Sequence, residues 1–187
     1  ADQTSLQYNL IRSHSSGMGP PLPSKVVLTL MIIRLHTFLQ AKSGVSASLI
    51  ETLSNYIDNG IYPDIYEHGG VGASGDLVQL AHLALGIIGE GKGKNEAGDT
   101  RDISELLEKS NLSPHKLELR DGLAMINGTA CMTALAAINV MNSQILIDWS
   151  IKISAMMLEI FGSYDDYISK ALNQVKLHGG QNEIAKS

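Results

Sequence analysis

The chain has 187 residues, of which 44% are hydrophobic and 18% charged, with a formal net charge of −5 and a single cysteine, Cys131. The length suits one domain with a sizeable core, the acidic balance argues against a nucleic-acid binder, and a lone cysteine rules out an internal disulfide and fits a reducing compartment. The polar start Ala1-Asp2-Gln3-Thr4 does not read as a signal peptide, and none is expected. Polar residues interrupt the apolar stretches short of a membrane span, so a cytoplasmic, non-membrane protein is expected.

Asp2 to Ile11 reads as the end of a helix or an extended entry, and Ser13 to Ser24 as a loop broken by Pro20, Pro21 and Pro23. Ser24 is placed to cap a helix from Lys25 to Lys42, with Val27, Leu30, Met31, Leu35 and Phe38 on its apolar face, His36 in solvent and Gly44 as its stop. Ser46 or Ser48 starts the next helix, Ser48 and Glu51 having capping-box spacing. Its stripe is Leu49, Ile50, Leu53 and Ile57, and Asn59-Gly60 ends it.

Four glycines then fall within Gly69-Gly70-Val71-Gly72-Ala73-Ser74-Gly75-Asp76-Leu77. Asp76 sits at the N-cap position of a helix reaching about Ile88, with Leu77, Leu80, Ala81, Ala84, Leu85 and Ile88 at helical spacing. His82 within it reads as structural. Gly89 to Arg101 reads as an exposed loop. Asp102 and Glu105 can cap a short helix holding Ile103, Leu106 and Leu107. Asn111 to Arg120 is a connection with Pro114 as breaker.

Nothing breaks a helix from Thr129 to Phe161, which is apolar on nearly every face apart from a polar seam of Asn139, Asn142, Ser143, Gln144 and Asp148. Such a helix belongs inside a bundle or between subunits, with a kink expected near Trp149-Ser150. Asp165 and Asp166 can cap a last short helix before a polar tail. The expected fold class is all-α, a long-helix bundle, with residues 1–187 forming a single helical segment. No His, Cys or carboxylate cluster has metal spacing.

Three readings compete for the glycine-rich loop. It is a plain turn; or Gly70, Gly72 and Gly75 form a G-x-G-x-x-G nucleotide loop; or Ala73-Ser74-Gly75 cyclises. The nucleotide loop requires a buried strand before it, and Ile61 to His68, with its proline and polar residues, is a poor one. Cyclisation needs the Gly75 nitrogen to reach the Ala73 carbonyl carbon, which the absence of a Cβ permits. Loss of one water from the ring and one from the Ser74 side chain would leave an exocyclic methylene, an electrophile.

Val71 to Leu77, with Leu80-Ala81-His82-Leu83-Ala84-Leu85 and Gly89-Glu90-Gly91 after it, resembles the signature of the aromatic amino acid ammonia-lyases and related aminomutases. Asn9 to Gly19 resembles that family's substrate-side segment, Gly122 to Thr129 its block with an active-site Asn, and His178-Gly179-Gly180-Gln181 its His-Pro-Gly-Gln with Gly179 replacing Pro. The resemblance implies a 4-methylidene-imidazol-5-one ring made from Ala73, Ser74 and Gly75. It implies Asp76 aiding ring formation, Asn127 orienting ring or substrate, and Ser13 and His14 reading the substrate side chain. It also implies an aromatic amino acid as substrate, a mainly helical fold and a homotetramer. Ser13-His14 most resembles the histidine enzymes of histidine catabolism, which yield urocanate, whereas Arg12 departs from the apolar residue expected there. Family members are longer, so the chain reads as an interior segment, inactive alone, with the catalytic Tyr and other subunits' residues outside it.

Overall fold

The computed structural model describes residues 3–118 and 120–187. They form a mainly helical protein in two compact units, Ala1–Ala137 and Ile138–Ser187.

In the first unit, α1 (Gln3–His14) leads into β1 (Met18–Pro21), followed by α2 (Ser24–Leu39) and α3 (Ala47–Asp58). β2 (Tyr62–Pro63) and β3 (Tyr66–His68) precede α4 (Leu77–Ile87). β4 (Lys92–Lys94), β5 (Thr100–Asp102), α5 (Ile103–Lys109) and α6 (Asp121–Ile126) lead to the start of α7 (Ala130–Ile160). The centre is α4, buried on every side, with Leu80, Ala81, Leu83, Ala84 and Ile87 at most 1% exposed. Such all-round burial follows from a helix apolar all round. α1 and α6 pack against α4, and the α3 Tyr56 hydroxyl donates to the Gly86 carbonyl oxygen at 2.7 Å.

Several predicted details change. The helix of residues 25–42 is Ser24–Leu39, with Pro23 at its N-cap. It turns at Ala41, which takes a positive φ of 54°, rather than at Gly44. Its buried face includes Arg34, while Leu35 is only half-buried. Ser46 alone caps α3, its side chain accepting from the Leu49 N–H at 3.2 Å. Tyr56 rather than Ile57 completes the α3 stripe.

Strands appear where loops are predicted. Met18–Pro21 pairs antiparallel with Tyr66–His68; its prolines are tolerated because an edge ladder needs few of their donors. Residues 89–101 form the β4–β5 hairpin, which extends β2 into a three-stranded antiparallel sheet. Each strand has four residues or fewer, too short for the period-two pattern to register.

α7 runs unbroken through Trp149-Ser150, where a kink is predicted. The interruption lies instead at 127–129, between α6 and α7. In the second unit, α7 continues to Ile160, followed by a 3-10 turn (Asp165–Ile168), α8 (Lys170–Asn173) and α9 (Gly179–Ile184). Here α7 leaves Val140, Leu146, Ile153 and Ile160 exposed. By length and composition alone, the stretch Asp121–Ile160 is long and apolar enough to cross a bilayer, a test that core helices of packed bundles also pass.

Candidate active site

The glycine-rich loop leaves β3 and enters α4. Gly69, Gly72 and Gly75 all take positive φ (124°, 67° and 91°), which lets the loop fold back tightly over its own ends. Ala73 and Ser74 are exposed, and Asp76 is buried. β3 pairs antiparallel with β1 in a two-stranded sheet, so the parallel strand that a dinucleotide loop requires is not what precedes this one.

The break between α6 and α7 meets this loop. The Asn127 side-chain amide donates to the Ser74 carbonyl oxygen at 3.0 Å. The Asp76 backbone N–H donates to the Gly128 carbonyl oxygen at 2.6 Å. A Cβ on Gly75 would overlap that same carbonyl, so only glycine fits at 75. The structure therefore brings Ser74, Gly75, Asp76 and Asn127 together from two segments far apart in sequence.

Asp76 does not cap its own helix, as its position suggests; its side chain makes no bond to the first turn of α4. Its Oδ2 instead accepts the backbone N–H of Cys131 at 2.8 Å and of Met132 at 3.1 Å. The carboxylate thus satisfies orphan donors at the start of α7, where the helix dipole favours negative charge. Burial, reinforced by the Asp76 charge, pushes the Cys131 thiol up to about 11, so this cysteine stays a protonated core residue.

Gly17 and Met18, which follow His14, lie beside the loop. Gly17 approaches Gly69 closely, and Met18 is paired with His68. His82 holds this approach: its Nε2 accepts the Gly17 N–H at 2.9 Å, and its ring meets Tyr66 edge-on at 4.9 Å. Burial lowers the His82 pKa, consistent with the neutral ring that an Nε2 acceptor requires. His82 is structural, as predicted.

His14 ends α1 and is half-buried, with Ser13 exposed beside it. Nδ1 of His14 lies 2.8 Å from the Leu10 carbonyl oxygen, and Ser13 Oγ donates to the same oxygen at 3.0 Å. A carbonyl accepts only, so Nδ1 is the donor in this contact, and in the neutral tautomer that leaves Nε2 as the acceptor. Among the described residues, neither Ser13 nor His14 is hydrogen-bonded to residues 73–76. Arg12 turns away to Glu90, at 2.5 Å.

Two features escape sequence reading. Arg34, 5% exposed, donates from Nη2 to the carbonyl oxygens of Ala124 and Asn127, the latter at 2.9 Å. Burial pulls its pKa down to about 10, opposed by attraction to Asp76, which leaves it cationic at neutral pH. A charge interrupting the Val27, Leu30, Met31, Phe38 stripe was the available signal. The second is a buried cluster at the start of α6. Asp121, 0% exposed, accepts from the Ser46 N–H and hydroxyl, both at 2.8 Å, from His115 Nε2 at 2.9 Å and from the Glu118 N–H at 3.0 Å. No local pattern links residues 46, 115 and 121. Among the described residues, no group of three metal-ligating side chains occurs.

A mainly helical protein that wedges an Ala-Ser-Gly turn against an asparagine is a class defined by its loop. The chain belongs to the aromatic amino acid lyase family, whose model matches residues 1–187. It is 42% identical over 174 residues to a histidine ammonia-lyase of Staphylococcus saprophyticus, covering 90% of this chain and 34% of that protein. It is 36% identical over 184 residues to a tyrosine 2,3-aminomutase of Myxococcus sp., covering 98% of this chain and 35% of that one. Among solved structures, histidine ammonia-lyase from Trypanosoma cruzi superposes with a TM-score of 0.92 at 31% identity, covering 97% of this chain and 36% of that one. The chain spans about a third of the length of the curated relatives it matches.

Proposed function

We propose that the protein eliminates ammonia from an aromatic L-amino acid, with L-histidine, giving urocanate, as the first substrate to test. The observation that carries this reading is the seat of the Ala73-Ser74-Gly75 turn: Asn127 on the Ser74 carbonyl oxygen and no room for a Cβ at Gly75.

Those residues fit a 4-methylidene-imidazol-5-one. In closing the ring, the Gly75 nitrogen would bond to the Ala73 carbonyl carbon, and that oxygen would leave as water with the Gly75 and Ser74 amide protons. The Ser74 hydroxyl leaves with the Ser74 α-proton as a second water. The Ser74 carbonyl oxygen, already held by Asn127, becomes the ring oxygen. Once formed, the group supplies an electrophile for a reaction whose β-proton is weakly acidic and whose leaving group is poor.

The chain's own residues do the rest of what is assigned here. Asn127 fixes the ring oxygen and withdraws charge through its hydrogen bond. Asp76 anchors the outgoing end of the turn. His14 reads the side chain: its free Nε2 accepts a hydrogen bond, which an imidazole N–H or a phenol O–H can donate and a phenyl ring cannot. Tyr56 is no candidate base, because burial drives its pKa far above neutrality and its hydroxyl is committed to Gly86.

The second reading is a tyrosine or phenylalanine lyase or an aminomutase on the same scaffold, favoured by the aminomutase relatives. A panel of L-histidine, L-tyrosine and L-phenylalanine with the full-length protein, products separated by chromatography, decides between them. A β-amino acid product selects the aminomutase, and no turnover of any of the three rejects the reading. The exposed apolar face of α7 supports assembly of copies into a homo-oligomer, a tetramer by family likeness. A monodisperse monomer by light scattering opposes it.

A further inference from the structure

We infer that Arg34 is a positioning residue: from beneath the α6–α7 break it holds Gly128 against Gly75 and so sets the geometry in which the Ala73-Ser74-Gly75 turn closes. This deepens the proposed function and rests on ring formation at that turn.

The break has two raw ends. α6 stops at Ile126, leaving carbonyl oxygens without helical partners, and α7 starts at Ala130, leaving N–H groups without them. Each end is satisfied by a charged side chain from elsewhere, in the sense that the helix dipoles favour. The Arg34 guanidinium takes the Ala124 and Asn127 carbonyls at the end of α6. The Asp76 carboxylate takes Cys131 and Met132 at the start of α7. The two charges attract across the gap.

Gly128 lies between them. A Cβ on Gly128 would collide with Arg34 Nη1, so the backbone here rests directly on the guanidinium. The other side of Gly128 is its carbonyl, which accepts the Asp76 N–H and fills the space beside Gly75. A contact chain thus runs from Arg34 through Gly128 to the residue whose nitrogen must attack. Asn127, whose carbonyl is held by Arg34, uses its side chain on Ser74. A buried cation is costly, and an apolar side chain would suit the α2 stripe better; among the described residues Arg34 Nε has no hydrogen-bond partner, so the group is tolerated rather than fully satisfied. Its Cζ also lies 4.8 Å from the Phe38 ring centroid, a cation–π contact.

The test compares wild type with Arg34→Met, Arg34→Lys and the core variant Leu80→Ala, following the intact mass of freshly synthesised protein over time. Loss of two waters at the Ser74 peptide reports closure. Arg34→Met is expected to close about tenfold or more slowly, as for the loss of a charge-assisted hydrogen bond at the reacting geometry. Arg34→Lys, which keeps the charge but not the fork, should be intermediate. Leu80→Ala, destabilised with Arg34, Gly128 and Asp76 all retained, should close at the wild-type rate. If Arg34→Met does not fold, Arg34→Lys carries the comparison. Closure at the wild-type rate in a folded Arg34 variant, or equal slowing in Leu80→Ala, overturns the proposal. Amide hydrogen exchange at Asp76, Cys131 and Met132 reads positioning independently of the ring, and protection lost only in the Arg34 variants is expected. A wild type that never loses two waters rejects ring formation, while unchanged exchange in the Arg34 variants rejects Arg34.

Discussion

Asp76 and Cys131, 55 positions apart, are joined by a 2.8 Å hydrogen bond from the Cys131 backbone N–H to the Asp76 carboxylate. The acidic residue that opens α4 therefore caps α7, and the glycine-rich turn just before it is tied to both helices. Replacing Asp76 with Ala removes that cap and leaves a buried N–H unpaired. The expected loss is about 1–2 kcal/mol of stability, read as a lower urea midpoint. Asp76→Asn, which keeps a carbonyl oxygen, should lose less. Equal midpoints for wild type and Asp76→Ala would remove the capping role.

Gly75 combines a positive φ with a missing Cβ opposite the Gly128 carbonyl. Gly75→Ala should cost at least about 1–2 kcal/mol from the left-handed backbone alone and should abolish the loss of two waters from the Ser74 peptide. Intact mass and thermal unfolding check both at once. A stable, cyclised Gly75→Ala protein would show that the turn is looser than described.

His82 gives the fold an acid-sensitive joint. Burial lowers its folded pKa below the ordinary histidine value of 6.5, so the unfolded chain binds the proton more readily. The His82 contribution is therefore complete above pH 6.5 and is lost as pH falls through the folded pKa. Tm should drop on acidification through this window. His82→Gln, whose amide oxygen can still accept from Gly17, should flatten that limb. A wild-type Tm that is level across the window would contradict the assignment.

Asp121 responds further into acid. Burial would raise its pKa, but hydrogen bonds from the Ser46 N–H, His115, the Glu118 N–H and the Ser46 hydroxyl outweigh it and hold it below the ordinary aspartate value of 3.8. A depressed carboxylate stabilises above its unfolded pKa and loses that contribution as pH falls through the folded one. Asp121→Asn, which sets an NH₂ among these donors, should cost about 3 kcal/mol near neutrality. The gap to wild type should close in strong acid. Denaturant midpoints at several pH values measure it, and a gap independent of pH would refute the cluster's role.

Sequence reading places the helices well because their apolar periods are long and their ends carry Ser46, Asn59-Gly60 and Asp102. The Ala73-Ser74-Gly75 turn and Asn127 were legible as motifs, and the structure makes them neighbours. What was hidden is non-local. The partner of Asp76 is decided by where α7 starts, not by its own helix. The value of Arg34 depends on two carbonyls some ninety residues away, and the cluster of Ser46, His115 and Asp121 joins the cap of α3, a connection and the start of α6. The short strands were missed because two to four residues carry no period, so pairing partners rather than local pattern decide them.

The interruption at 127–129 also orders events in time. The turn receives its oxygen-binding amide from Asn127 and its wedge from Gly128 only after α2, α4 and the α6–α7 junction have docked. A nascent or misfolded chain has the same tripeptide but lacks the vice that would close it. On the proposed reading, maturation of the electrophile would be a checkpoint on folding: incomplete copies, lacking the docked junction, would stay chemically harmless to surrounding thiols and amines.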